Sequence, residues 1–193
     1  MTSARPTHLV NLEQAIPAQP AGQPLEGELE SVCRQVGERA RRLMAEGGLY
    51  CAPAVLTALD ERLGGGLDED LVRRLTAGLP EGMGSGCTCG ALSAGQMALG
   101  LFLGQRGYGG AMTRAARGLH DGFKAREGST CCRVLVKKSK SRRARGEHCA
   151  SLAGHAAELA CRLVLTARPE LAAAGQEAPA PPQRSWWKRL RRG

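Results

Sequence analysis

The chain has 193 residues, of which 42% are hydrophobic but only 3% aromatic, and a formal net charge of +9. A core with so few aromatic residues favours close-packed helices over a β-sandwich. The positive charge is concentrated in two runs without acidic residues, with seven basic residues in 133–145 and five in 184–192. A nucleic-acid-binding domain more often spreads its basic residues over a folded face, so this distribution does not favour that class.

The predicted elements follow from hydrophobic periodicity and from glycine and proline breaks. Residues 1–25 contain four prolines and no periodicity, which predicts a disordered N-terminal lead, and 169–193 is predicted to be a flexible Ala/Pro linker with a basic Trp/Arg tail. Residues 26–168 are predicted to form an all-α domain, a compact bundle of about six to seven helices. Six of the predicted helices span about 29–44, 52–63, 91–103, 112–126, 131–137 and 147–167. Another, the third in chain order, is predicted to be capped by Asp68, to run through Leu75 and to end at Gly78 and Pro80.

Two other segments are distinctive. Residues 82–90 contain glycine at 82, 84, 86 and 90, which predicts a loop that feeds the central helix of the bundle. The basic run 137–145 is predicted to be a solvated loop. No apolar leader is visible near the N-terminus, and we expect a cytoplasmic protein.

The eight cysteines carry the strongest functional signal, because six of them lie where a predicted helix begins. A helix N-terminus favours the thiolate, which is both the nucleophile and the metal ligand. Cys33 and Cys161 lie inside helices and are expected to pack as small hydrophobic residues. The six at predicted helix starts are Cys51, Cys87, Cys89, Cys131, Cys132 and Cys149.

The glycine loop adds a second cue. Its glycines allow the backbone to approach a cofactor closely and to turn N–H groups toward it, so Gly86, Cys87, Gly90 and Cys131 are predicted cofactor-binding residues. No Cys-x-x-Cys pair occurs, which makes a zinc ribbon or thioredoxin motif unexpected, and no Cys-x-x-Cys-His occurs, so no haem is expected. His148 and His155 are candidate ligands or proton donors near Cys149.

The order of these cysteines resembles the C_GCAxxG_C_C family. The similarity lies in Tyr50-Cys-Ala-Pro-Ala-Val, in Cys89-Gly-Ala-Leu-Ser-Ala-Gly95, in Cys132 after Gly-Ser-Thr, and in Cys149, and it spans roughly residues 29–167. The family is described as redox-active with four characteristic cysteines, and a related helical domain occurs in split-Soret cytochromes. The resemblance implies that Cys51, Cys89, Cys132 and Cys149 are the catalytic or metal-ligating residues.

The leading hypothesis is therefore a redox-active or metal-cluster protein, in which these cysteines hold an iron–sulfur centre or another metal, or cycle between dithiol and disulfide. The alternative is a non-catalytic helical accessory module with structural cysteines or zinc, and whether the protein is an enzyme stays open. The expected partner is a redox protein. A homodimer is also open, specific nucleic-acid binding is not expected, and the basic tail is a candidate for contact with an anionic surface.

Overall fold

A computed structural model describes residues 27–46, 48–107, 109–137 and 139–177. The predicted N-terminal lead and the Trp/Arg tail lie outside these residues. The all-α prediction is confirmed, since the described residues contain helices and a single isolated β-bridge but no strand. The α-helices are α1 (Gly27–Ala45), α2 (Cys51–Leu63), α3 (Glu69–Thr76), α4 (Gly90–Leu103), α5 (Gly110–Glu127), α6 (Cys132–Val136), α7 (Arg142–Ala167) and α8 (Leu171–Glu177).

Helix boundaries follow the local chemistry that the sequence indicated. The Asp68 carboxylate accepts a hydrogen bond from the Leu71 N–H and caps α3, as predicted. Gly64 ends α2 in the left-handed conformation that an L side chain rarely adopts. The glycine loop (Gly82–Gly86) is not a regular helix, since Met83 and Gly84 have positive φ, and it leads to α4.

The core is built from small aliphatic side chains, so the helices approach closely. A Cβ placed on Gly37 of α1 would lie 2.9 Å from the carbonyl oxygen of Gly154 in α7, which explains why neither helix has a side chain at that crossing. Helix α4 contacts α2, α5 and α7 and buries most of its length, including Leu92 and Leu99. The prediction that the glycine loop feeds a central helix is therefore confirmed.

The start of α7 was predicted wrongly. The helix begins at Arg142 and not near residue 147, because the Ser141 hydroxyl accepts a hydrogen bond from the Ala144 N–H at 3.1 Å and supplies an N-cap. Arginine is also a good helix former, so a basic run continues a helix once a cap exists. Residues 142–145 are thus helical rather than loop, and Cys149 is the eighth residue of α7 and not part of its first turn.

Helix α8 lies in the segment that was predicted to be a linker. It packs on α2, where a Cβ on Gly64 would be 3.2 Å from the Cβ of Ala174, and the Arg62 guanidinium donates a hydrogen bond to the Ala172 carbonyl. No helix in the described ranges is both long and apolar enough to cross a membrane.

A cavity lined by four cysteines

One cavity, of about 700 Å³, contains all four cysteines that the sequence singled out. Cys51, Cys89, Cys132 and Cys149 come from four separate parts of the chain. They lie at the start of α2, at the residue before α4, at the start of α6 and at the eighth residue of α7. Cys89 is 4% exposed and the other three are partly buried. The predicted convergence of these thiols at one place is what the structure shows.

A glycine at position 90 lets the Cys51 thiol approach the start of α4, next to Cys89 in the chain. Cys89 precedes α4, and the N–H groups of Ala91 and Leu92 point at its sulfur. A Cβ on Gly90 would lie 3.0 Å from the Cys51 sulfur and 2.6 Å from the Leu79 carbonyl oxygen. Gly90 therefore does not line the cavity itself but makes room for the Cys51 thiol beside it.

Cys132 is held beside Cys89 by backbone pairing. Thr88 and Cys131 form an antiparallel bridge, in which the Cys89 N–H donates to the Thr130 carbonyl at 2.8 Å and the Cys132 N–H donates to the Cys87 carbonyl. The glycine loop closes over this pair. A Cβ on Gly82 would lie 2.7 Å from the Cys132 Cβ, so only a glycine fits there.

Burial raises the pKa of all four thiols. It raises the pKa of Cys51 to about 12 and that of Cys149 to about 11, and the pKa values of Cys89 and Cys132 also lie above the usual value. The neighbouring cysteines add to the effect, since each of the six pairs among the four interacts electrostatically. The prediction that helix N-termini favour the thiolate here was wrong: the N–H groups beside Cys89 act in that direction, but desolvation outweighs them.

Charged residues that the sequence reasoning missed also line the cavity. Arg142 and Arg145 lie on the same face of α7 as Cys149, at spacings of three and four residues. That spacing would have revealed them if residues 142–145 had been recognised as helical. Arg133 and Glu81 complete the charged lining, and Arg133 donates to the Ser85 carbonyl at 2.8 Å.

The glycine loop has unusual backbone geometry. Glu81 and Met83 are the two non-glycine residues with positive φ, at 57° and 62°, in the part of the chain that the structure describes. Such conformations cost free energy and persist where the surrounding structure imposes them, often at functional sites. Glu81 lines the cavity, and Met83 is exposed beside it.

The other residues predicted to bind a cofactor take different positions. Gly86 lines the cavity, whereas Cys87 is exposed and Cys131 is partly buried, and neither of these two cysteines lines it. The Cys131 thiol instead donates to the Gly86 carbonyl at 3.3 Å and so ties α6 to the glycine loop.

The remaining cysteines and histidines lie elsewhere. Cys33 and Cys161 are completely buried in the core, as predicted, with the Cys161 thiol close to Cys33 and its pKa raised by that contact and by burial. His155 contacts the Glu127 carboxylate and links α7 to α5. Neither His148 nor His155 lines the cavity, so the structure does not place them with the four thiols.

Four cysteine thiols form a donor set whose chemistry suits iron–sulfur clusters and other soft metals. Among the described residues, no three His, Cys, Asp or Glu side chains are grouped closely enough to hold a single metal ion. The donor chemistry thus fits a thiolate-bound metal, while a preformed position for one ion is not present in these ranges.

The fold and cavity define a class: a small all-helical protein with a cluster of four cysteines drawn from separate elements. A sequence model of one family, described as "Putative redox-active protein (C_GCAxxG_C_C)", matches residues 49–163 and so includes all four. The chain belongs to this C_GCAxxG_C_C family, as the sequence analysis indicated. No curated protein and no solved structure matches the chain significantly.

Proposed function

We propose that the protein is a thiol-based redox protein in which Cys51, Cys89, Cys132 and Cys149 interconvert between dithiol and disulfide. Oxidation of one pair forms an S–S bond and releases two electrons and two protons to the oxidant. The supporting observation is the convergence of these four thiols on one cavity, while the other four cysteines of the chain lie outside it. The family description agrees with redox activity and does not specify the reaction.

The burial of the site suits a protected thiol pair. The raised pKa values keep the reduced cysteines protonated at neutral pH, so they react slowly with nonspecific oxidants and alkylating agents. A reducing compartment such as the cytoplasm would keep these thiols reduced until a specific oxidant arrives, and we place the protein there.

Thiol counting on the reduced and the mildly oxidised protein tests the proposal. We expect oxidation to remove two or four reactive thiols and a dithiol reductant to restore them. Serine at Cys89 or Cys132 should abolish part of this reversible loss. The matched controls are Cys87→Ser and Cys131→Ser, which change a neighbouring cysteine outside the cavity and should leave the loss unchanged.

A different result would support the non-catalytic alternative. If serine at the four positions lowered only thermal stability, and the wild-type thiol count did not change on oxidation, the cysteines would be structural. The dithiol–disulfide proposal would then be wrong.

The four-thiol donor set carries a second candidate, an iron–sulfur cluster or another thiolate-bound metal. Cys51, Cys89, Cys132 and Cys149 would be the ligands, and the backbone of the glycine loop, which lines the same cavity, would face the bound group. Such a centre would supply one-electron chemistry. Anaerobic purification followed by iron and sulfide analysis and a visible absorption spectrum tests this candidate. Stoichiometric iron would support it, and a fully reduced, anaerobic preparation without iron would contradict it.

A further inference from the structure

Basic residues surround the four thiols. Arg133, Arg142 and Arg145 line the cavity together with a single acid, Glu81, so the charged lining has an excess of positive charge. All three arginines are exposed residues rather than part of the buried core. A positive field around a cavity raises the local concentration of anions and their association rate.

Two of these arginines have no acidic partner among the residues that the structure describes. Within the described ranges, no carboxylate lies within 4 Å of the Arg142 or Arg145 guanidinium, whereas the neighbouring Arg143 pairs with Glu147 at 2.9 Å. Arg133 is already engaged with the backbone of the glycine loop. Arg142 and Arg145 therefore have donors available for a ligand on the cavity face of α7.

Arg145 is also close to the reactive atoms. It acts electrostatically on both Cys132 and Cys149, and Cys149 lies one helical turn along the same face. A ligand that placed an acidic group on Arg145 would bring its adjacent atoms to the thiols. Guanidinium groups bind carboxylates through paired, charge-assisted hydrogen bonds.

We propose that the cavity binds a small disulfide that carries carboxylate groups, with those groups on Arg142 and Arg145 and its S–S bond facing Cys132 and Cys149. This inference rests on the proposed function and names its substrate class. The choice of a small ligand follows from the cavity volume of about 700 Å³, which is in the range of small-molecule sites.

The exchange balances without a further reactant. A cavity thiol loses its proton and attacks one sulfur of the substrate, forming a mixed disulfide and releasing the first half as a thiol. A second cavity thiol attacks the mixed disulfide, which forms the protein disulfide and releases the other half as a thiol. The two protons of the protein thiols end on the two products, and the substrate is the oxidant.

Two chromogenic disulfides of different charge test the inference: the dianionic dithiobis(nitrobenzoic acid) and the neutral dithiodipyridine. Both are added to the reduced full-length protein carrying Cys87→Ser, which removes the exposed thiol outside the cavity. The readout is the ratio of the two reaction rates. A change in thiol pKa or in access alters both rates and cancels in the ratio, whereas an effect of ligand charge remains in it. Peptide mass spectrometry identifies the modified cysteines.

We expect Arg142→Gln with Arg145→Gln to lower the anionic-to-neutral ratio by about tenfold, and Arg143→Gln to change it by less than about twofold. High salt should lower the wild-type ratio and leave that of the double variant nearly constant. An unchanged ratio in the double variant, or an equal fall in the Arg143 variant, would overturn the assignment while the redox proposal stands. If neither probe modifies any of the four cavity cysteines, both the substrate assignment and the proposed dithiol chemistry are wrong.

Discussion

Raising the pH of the reduced protein tests how strongly burial controls the cavity thiols. Burial raises the pKa of Cys149 to about 11 from an ordinary value of 9.0. At pH 8 a thiol with a pKa near 11 is about 0.1% thiolate, compared with about 10% at the ordinary value. Because only the thiolate reacts, Cys149 should be alkylated about a hundredfold more slowly than an ordinary thiol of equal access, and its rate should rise about tenfold per pH unit from pH 7 to 10.

The assay is iodoacetamide alkylation followed by peptide mass spectrometry, which measures Cys149 and the exposed Cys87 in the same sample. Restricted access also slows alkylation, but it does not change the pH at which the rate levels off, so the shape of the profile decides. Circular dichroism at each pH confirms that the helices persist. A Cys149 rate that levels off below pH 9 would refute the claim that burial governs this thiol.

Three further predictions concern the stability of the fold. Gly90→Ala should lower the free energy of unfolding by about 1–3 kcal/mol in chemical denaturation, because the new Cβ would lie 2.6 Å from the Leu79 carbonyl oxygen. The control is Gly100→Ala in the same helix, which has open space around it and should be neutral or slightly stabilising. Above pH 9 Cys51 ionises in the unfolded chain but stays protonated in the folded chain, so the free energy of unfolding should fall by up to about 1.4 kcal/mol per pH unit. Cys51→Ala should therefore make the denaturation midpoint less dependent on pH. Ser141→Ala should destabilise by about 1 kcal/mol through loss of the α7 cap; no change in thermal melting would show that the cap is dispensable.

Local patterns predicted the helices well where both ends carried a signal. Asp68 caps α3, and the periodicity of α4 together with the preceding glycines indicated a central helix. The start of α7 was missed because a dense basic run suggested a solvated loop, although Ser141 supplied a cap signal. Charge alone does not separate a loop from an exposed helical turn, since lysine and arginine suit both.

The candidate site was predictable in its members but not in its environment. The order of the cysteines and the family resemblance selected the four residues of the cavity, with Cys87 and Cys131 as neighbours. The sequence pointed to favoured thiolates because helix N-termini were visible and burial was not. Desolvation depends on how separate elements close over the sulfurs, which no local pattern contains. The place of Glu81 in the cavity was not predictable for the same reason, since it depends on a left-handed backbone conformation at that residue.

The most direct test of the account is disulfide mapping of the metal-free protein after mild oxidation, by proteolysis under acidic conditions and mass spectrometry. The account predicts cross-links between cysteines from different elements within the set of Cys51, Cys89, Cys132 and Cys149, and their disappearance on reduction. It is contradicted if all four stay as free thiols, or if the only cross-links formed involve the exposed Cys87.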